Sequence, residues 1–174
     1  GEVVFAVIES DGAVTSSSVL AKGKVVAMAA MPDGTAIVCV EKATGGPNWC
    51  ARVGAKGNVL WAGEHDGVGA IGVSTIGEYV VLGLGGVPGV ATFLEAGTGN
   101  VSVTSPLGKL DLPQSATVLS DDRIVFAGAS LGTTAEGFGG HVVATNPSGK
   151  ILWSPKIAAP GNTAIGPGYG GAAV

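Results

Sequence analysis

The chain has 174 residues, 31 of them glycine, with 46% apolar side chains, 13% charged ones and a formal net charge of −4. That length can bury a substantial core in one domain, and this apolar content excludes a disordered chain. Nine lysines and arginines are spread without forming a basic stripe, which argues against nucleic acid or an anionic membrane surface as partner.

Taken in chain order, the first pattern is Val3-Val-Phe-Ala-Val-Ile-Glu-Ser-Asp-Gly-Ala-Val-Thr15, two apolar runs around an Asp-Gly turn, which predicts a hairpin. Gly34-Thr-Ala-Ile-Val-Cys-Val40 reads as a turn followed by a strand. The same type recurs as Gly77-Glu-Tyr-Val-Val-Leu-Gly83 and Asp122-Arg-Ile-Val-Phe-Ala-Gly128. A hairpin follows each copy after a Gly-rich loop of variable length, over Asn48–Trp61, Val90–Val103 and His141–Trp153. Between them, the stretch Gly67–Leu94 carries one charge, Glu78, and is long enough to cross a bilayer. Its eight glycines, Pro88 and short Val and Ile groups predict two or three buried strands and no membrane span. Ala164–Ile165 and Gly171–Val174 supply two weak further strands, and the start at Gly1 reads as a processed or excised piece.

The turn-strand segments recur at spacings of 43 and 45 residues, and the hairpin glycines Gly57, Gly99 and Gly149 at 42 and 50. The drift falls in the loop between the second and third strands. Four strands in a period of roughly 40–50 residues are the signature of a β-propeller blade, whose small twisted sheet needs a neighbour on which to bury its face. Helical repeats of that length need a 3.6-residue periodicity that is missing here. The expected fold is therefore all-β: one domain over residues 1–174, a β-propeller of four-stranded antiparallel blades, with three complete blades and a half-blade at each end. Closure of the two halves into a four-bladed ring, association with another copy, and membership of a larger propeller all remain open.

The segment Val142-Val-Ala-Thr-Asn-Pro-Ser-Gly-Lys-Ile-Leu-Trp-Ser154 resembles the PQQ-like propeller repeat, in which a strand, a Gly-containing turn and a strand ending in Trp recur in each blade. Asn58-Val-Leu-Trp61 is a second copy, and Asn100-Val-Ser-Val103 a third without the Trp. The resemblance implies the fold. Quinoprotein dehydrogenases of this kind use a calcium-bound quinone and, in several members, a vicinal disulfide. Cys39 and Cys50 are not adjacent and no set of acidic, amide and basic ligands is evident, so no cofactor and no metal is expected.

Cys39 and Cys50 flank the turn-rich segment Ala43–Asn48 symmetrically, so a hairpin would bring them face to face. They then either form a cross-strand disulfide or serve as two small buried apolar residues. A bridge would imply an oxidising compartment. Trp61 and Trp153 share a repeat position, which points to packing between blades, whereas Trp49 breaks that register and is a candidate for stacking on a ligand, set against a favoured packing role. Glu64-His65-Asp66, in the loop after an outer strand, is the densest polar group and the other candidate ligand-binding element, set against a plain solvated turn. Asp33-Gly34 and Asp121-Asp122-Arg123 read as turn chemistry, and His141 as a surface or packing residue. The glycine runs 83–89 and 137–140 lack the helix and the Lys and Ser or Thr of a phosphate loop.

No catalytic residue emerges. The expected function is a non-enzymatic structural or interaction module whose loops bind a protein or further copies of the chain, in a secreted, cell-surface or periplasmic setting. The alternatives are a lectin-like glycan-binding propeller, or a fragment of a quinoprotein-type or glycosidase propeller enzyme.

Overall fold

The computed structural model describes residues 1–8, 10–131 and 139–157. The weak strands expected at Ala164–Ile165 and Gly171–Val174 lie outside these residues. Every regular element among the described residues is a β-strand. The chain divides into two compact units, Gly1–Val68 and Gly69–Val174.

In the first unit, β1 (Glu2–Ile8) and β2 (Val14–Lys22) form an antiparallel two-stranded sheet, the half-blade expected at the start. The meander β3 (Lys24–Ala30), β4 (Ala36–Glu41), β5 (Asn48–Val53) and β6 (Val59–His65) makes a four-stranded blade in sequential order. The second unit opens one residue into β7 (Val68–Val73), which with β8 (Tyr79–Leu84), β9 (Val90–Glu95) and β10 (Val101–Pro106) repeats that order. The apolar stretch 67–94 thus resolves into three strands. The last sheet runs β11 (Leu112–Val118), β12 (Ile124–Ser130), β13 (Gly139–Thr145) and β14 (Ile151–Trp153), with β15 (Lys156–Ile157) also paired to β13. Its outer position is split between β14 and β15 around Ser154-Pro155, where proline removes a ladder donor.

One turn design recurs. In Met31-Pro-Asp-Gly-Thr35 the Gly34 N–H donates to the Met31 carbonyl (3.1 Å), the Met31 N–H donates to the Thr35 carbonyl (2.8 Å), and Gly34 sits at φ 81°. Asn146-Pro-Ser-Gly-Lys150 repeats the two bonds at 2.9 and 3.1 Å with Gly149 at φ 79°, and Gly54–Asn58 repeats them with Gly57 at φ 77°. This is a type I turn closed by a left-handed residue, with proline preset at the second position in the first two copies, Pro32 and Pro147, and Ala55 in the third. Asp33 completes the first turn by accepting from the Thr35 N–H (3.1 Å) and hydroxyl (2.7 Å) and pairing with Arg52. Leu119–Arg123 uses the same turn, but Asp122 fills the left-handed position at φ 61°.

Each unit buries a core between its two sheets. In the first, Val3 of β1 meets Val38 and Val40 of β4 and Ala51 and Val53 of β5, with Phe5, Leu20 and Trp49 packed around them. In the second, Phe93 and Val81 pack with Phe126, Ile124 and Val143, and Leu107 and Leu110 seal the connection. The same polar clasp ties the sheets in both units. The Ser18 hydroxyl donates to the Gly57 carbonyl (3.1 Å) across 39 residues, and the Ser105 hydroxyl donates to the Gly149 carbonyl (2.7 Å) across 44. Each serine lies on the outer strand of one hairpin and each glycine in the outer turn of the next sheet, so the chain uses one sheet-to-sheet contact twice.

Two substitutions test this account. Asp122→Gly relieves a left-handed L-residue and is expected to raise stability by up to about 1 kcal/mol in urea denaturation. Gly149→Ala places a Cβ 2.5 Å from the Ser105 Cβ at a positive φ, and is expected to cost roughly 2–4 kcal/mol. Equal and small effects from both would sink the turn argument.

Candidate functional site

Strand register gathers polar side chains at the end of the first unit's blade where β4 turns into β5 and β6 leaves its sheet. Lys24 pairs with Glu41, Glu41 with Asn48, and Asn48 with His65, so four strands contribute one residue each to a single row on one face. Cys39 and Cys50 stand two rungs further in, on the same face as Glu41 and Asn48, with the Val40–Trp49 rung between the two pairs facing the other way. They are directly paired, with Cα atoms 4.0 Å apart, fully buried and joined by a disulfide. The disulfide closes the hairpin whose 42–47 loop forms one wall beside the row.

The wall and row enclose a cleft of about 360 Å³, open to solvent and lined by Val26, Glu41, Gly45, Gly46, Asn48 and the Asp66–Val68 turn. Asn48 is only 5% exposed, and its Oδ1 accepts the Val68 N–H at 2.7 Å. Glu41 accepts the Gly45 N–H (3.1 Å), which holds the loop over the cleft. Among the described residues no group of three or more His, Cys, Asp or Glu is gathered closely enough to hold a metal ion.

The sequence triplet Glu64-His65-Asp66 is taken apart by the pleat. Glu64 and His65 end β6 rather than lying in a loop, and only Asp66 belongs to the turn. Glu64 pairs with Trp49 and is exposed, whereas His65 pairs with Asn48 and is half-buried. Asp66 lines the cleft with Glu41, a pairing that adjacency in sequence does not suggest. Burial lowers the His65 imidazole below its ordinary value of 6.5, partly opposed by the Asp66 charge.

Trp49 is half-buried against the first unit's core, with the Lys42 ammonium 5.4 Å from its ring centroid. Trp61 is half-buried opposite Arg52, while Trp153 is 40% exposed, so the shared repeat position does not bring equal burial. Gly57, Gly99 and Gly149 hold the outer hairpin turns at φ 77°, 74° and 79°. His141 is 4% exposed, a buried rather than a surface residue, with Nε2 3.1 Å from the Ser154 hydroxyl.

No protein-family model matches the chain, and no curated protein matches it. Among solved structures it is similar to a eukaryotic initiation factor at a TM-score of 0.60 and 11% identity, over 78% of this chain and 33% of that one. The fold is a β-propeller. A further likeness, at a TM-score of 0.42 and 16% identity, is to BamB from Moraxella catarrhalis, over 89% of this chain and 52% of that one. This propeller chain therefore spans about a third and about half of the lengths of the structures it matches.

Replacing both cysteines by alanine, which frees the hairpin ends in the unfolded chain, is expected to cost roughly 2–4 kcal/mol by urea denaturation, with strand content retained in circular dichroism. His65 supplies a pH test. A base whose folded pKa lies below its unfolded value contributes fully above the unfolded value, and that contribution is lost as pH falls towards the folded one. Between about pH 7 and about pH 5 the wild type should lose more stability than His65→Gln. Parallel losses in the two proteins would refute the burial account.

Proposed function

We propose that this chain is a non-enzymatic interaction module whose partner is a protein, either a different one or further copies of itself. The observation that carries this reading is the outer face of the β1–β2 hairpin. One face of the hairpin is spent on the core through Val3, Phe5 and Leu20. The other presents Val4, Ile8, Val14 and Val19, each between 55% and 64% exposed, with Val4 opposite Val19 and Ile8 opposite Val14 in register. Two exposed apolar pairs on one sheet face, with Ala6 and Ser17 between them, mark a protein contact. The buried disulfide supports an oxidising setting, secreted, cell-surface or periplasmic.

Light scattering over a range of concentrations tests the reading. Masses above the single-chain 16.9 kDa that revert in Val19→Lys identify the hairpin face as a self-association surface. A single-chain mass at every concentration overturns self-assembly and leaves a different protein as the partner.

A further inference from the structure

We infer that the cleft floored by Asn48 binds a cationic side chain, a lysine ammonium or an arginine guanidinium, presented by a peptide segment of a protein partner. The assignment shares with the preceding reading only that the partner is a protein, since it concerns a different surface of the first unit.

Three features of the cleft define the ligand. Its two ionisable lining groups are both carboxylates, Glu41 on the end of β4 and Asp66 in the turn after β6, so its charge calls for a cation. Neither neighbouring lysine supplies it. Lys42 lies over the Trp49 ring, and Lys24, the register partner of Glu41, is not part of the lining.

The second feature is independent of charge. Asn48 is a buried polar side chain whose orientation is set by the backbone: because the Val68 N–H is a donor, the amide oxygen must face it, and the planar amide turns Nδ2 to the other side. The only hydrogen bond that the Asn48 side chain makes among the described residues is the one through Oδ1, which leaves Nδ2 as a donor at the floor of the cleft. Nδ2 touches the solvent of the open cleft, where it is available to donate to a ligand. It suits the carbonyl oxygen of the same peptide residue that carries the cation.

The third feature is room. Gly45, Gly46 and Gly67 remove side chains from the rim, and about 360 Å³ accommodates one long side chain with its backbone. A peptide residue offering a cation at its tip and a carbonyl at its base matches carboxylates at the rim and an amide donor below.

The test titrates N-acetyl-arginine amide and N-acetyl-lysine amide into the ¹⁵N-labelled protein and follows backbone amide shifts. N-acetyl-citrulline amide serves as the uncharged isostere, and galactose as a neutral polyol. The expected result is saturable shifts at Gly45, Gly46, Gly67 and Val68 for the arginine and lysine probes, with the citrulline probe about ten-fold weaker or more. Asp66→Asn, in an exposed turn, should weaken the arginine probe by about ten-fold while keeping spectral dispersion, and Glu41→Gln serves if that variant fails to fold. Val19→Lys should leave probe binding unchanged, so failure here is separable from failure of the hairpin-face reading. Equal binding of the citrulline and arginine probes, no effect of Asp66→Asn, or no shift with any probe overturns the assignment. Shifts with galactose alone also overturn it, in favour of a glycan site.

Discussion

The middle strands of each blade are apolar on both sides of the pleat. Ile37 and Cys39 project to one face of β4 and Val38 and Val40 to the other, all 5% exposed or less, and Val80, Val81 and Leu82 do the same in β8. Such a sheet left alone would present two apolar faces to water, losing about 25 cal/mol for each Å² uncovered. Neighbours are thus a condition of folding, and the remaining features follow from how neighbours are held. Outer strands alternate exposed and half-buried residues because only one of their faces is covered, and the serine-to-glycine clasp fixes the offset at which one sheet meets the next. A glycine is required at that offset both for its positive φ and because a side chain would collide with the serine.

Polar chemistry is pushed to strand ends by the same constraint. The row Lys24, Glu41, Asn48 and His65 lies at the last rung of its blade, where loops admit water, while the same face is already closed by the disulfide two rungs further in. The site and the staple are therefore neighbours: the bond that stiffens the β4–β5 hairpin also fixes the loop carrying Gly45 and Gly46.

Much of the architecture could be read before any coordinates because its signals are local. Pro-Asp-Gly and Pro-Ser-Gly turns announce their hairpins through φ preferences intrinsic to those residues, and the β4, β8 and β12 segments stand out by their apolar runs. The inner strands β3 and β11 carry weaker patterns, with Lys24 at the head of one and Pro113 and Gln114 in the other, and were marked by no motif. Asp122 shows the limit of a glycine rule: the turn persists with an aspartate in the left-handed position. The cleft was legible only in part. Glu64, His65 and Asp66 drew notice by adjacency, yet a pleat sends adjacent side chains to opposite faces, so their true companions were Trp49, Asn48 and Glu41. Glu41 and Asn48 carry no motif at all. Their meeting depends on register, which depends on the length of the 42–47 loop, a quantity that composition and periodicity do not encode.

The hydrogen bond from the Val68 N–H to Asn48 has a reach beyond its own geometry. An asparagine amide is nearly symmetric in shape but opposite in polarity at its two ends, and here a main-chain group at the start of the next strand chooses which end faces the cleft. If the Asp66-Gly67 turn were lengthened or shortened by one residue, that N–H would move away and the amide would be free to rotate, exchanging a donor for an acceptor with no change in the lining side chains. Ligand preference at this site is thus inherited from the length of a two-residue link, and relatives with identical cleft residues but a different link would diverge in what they recognise.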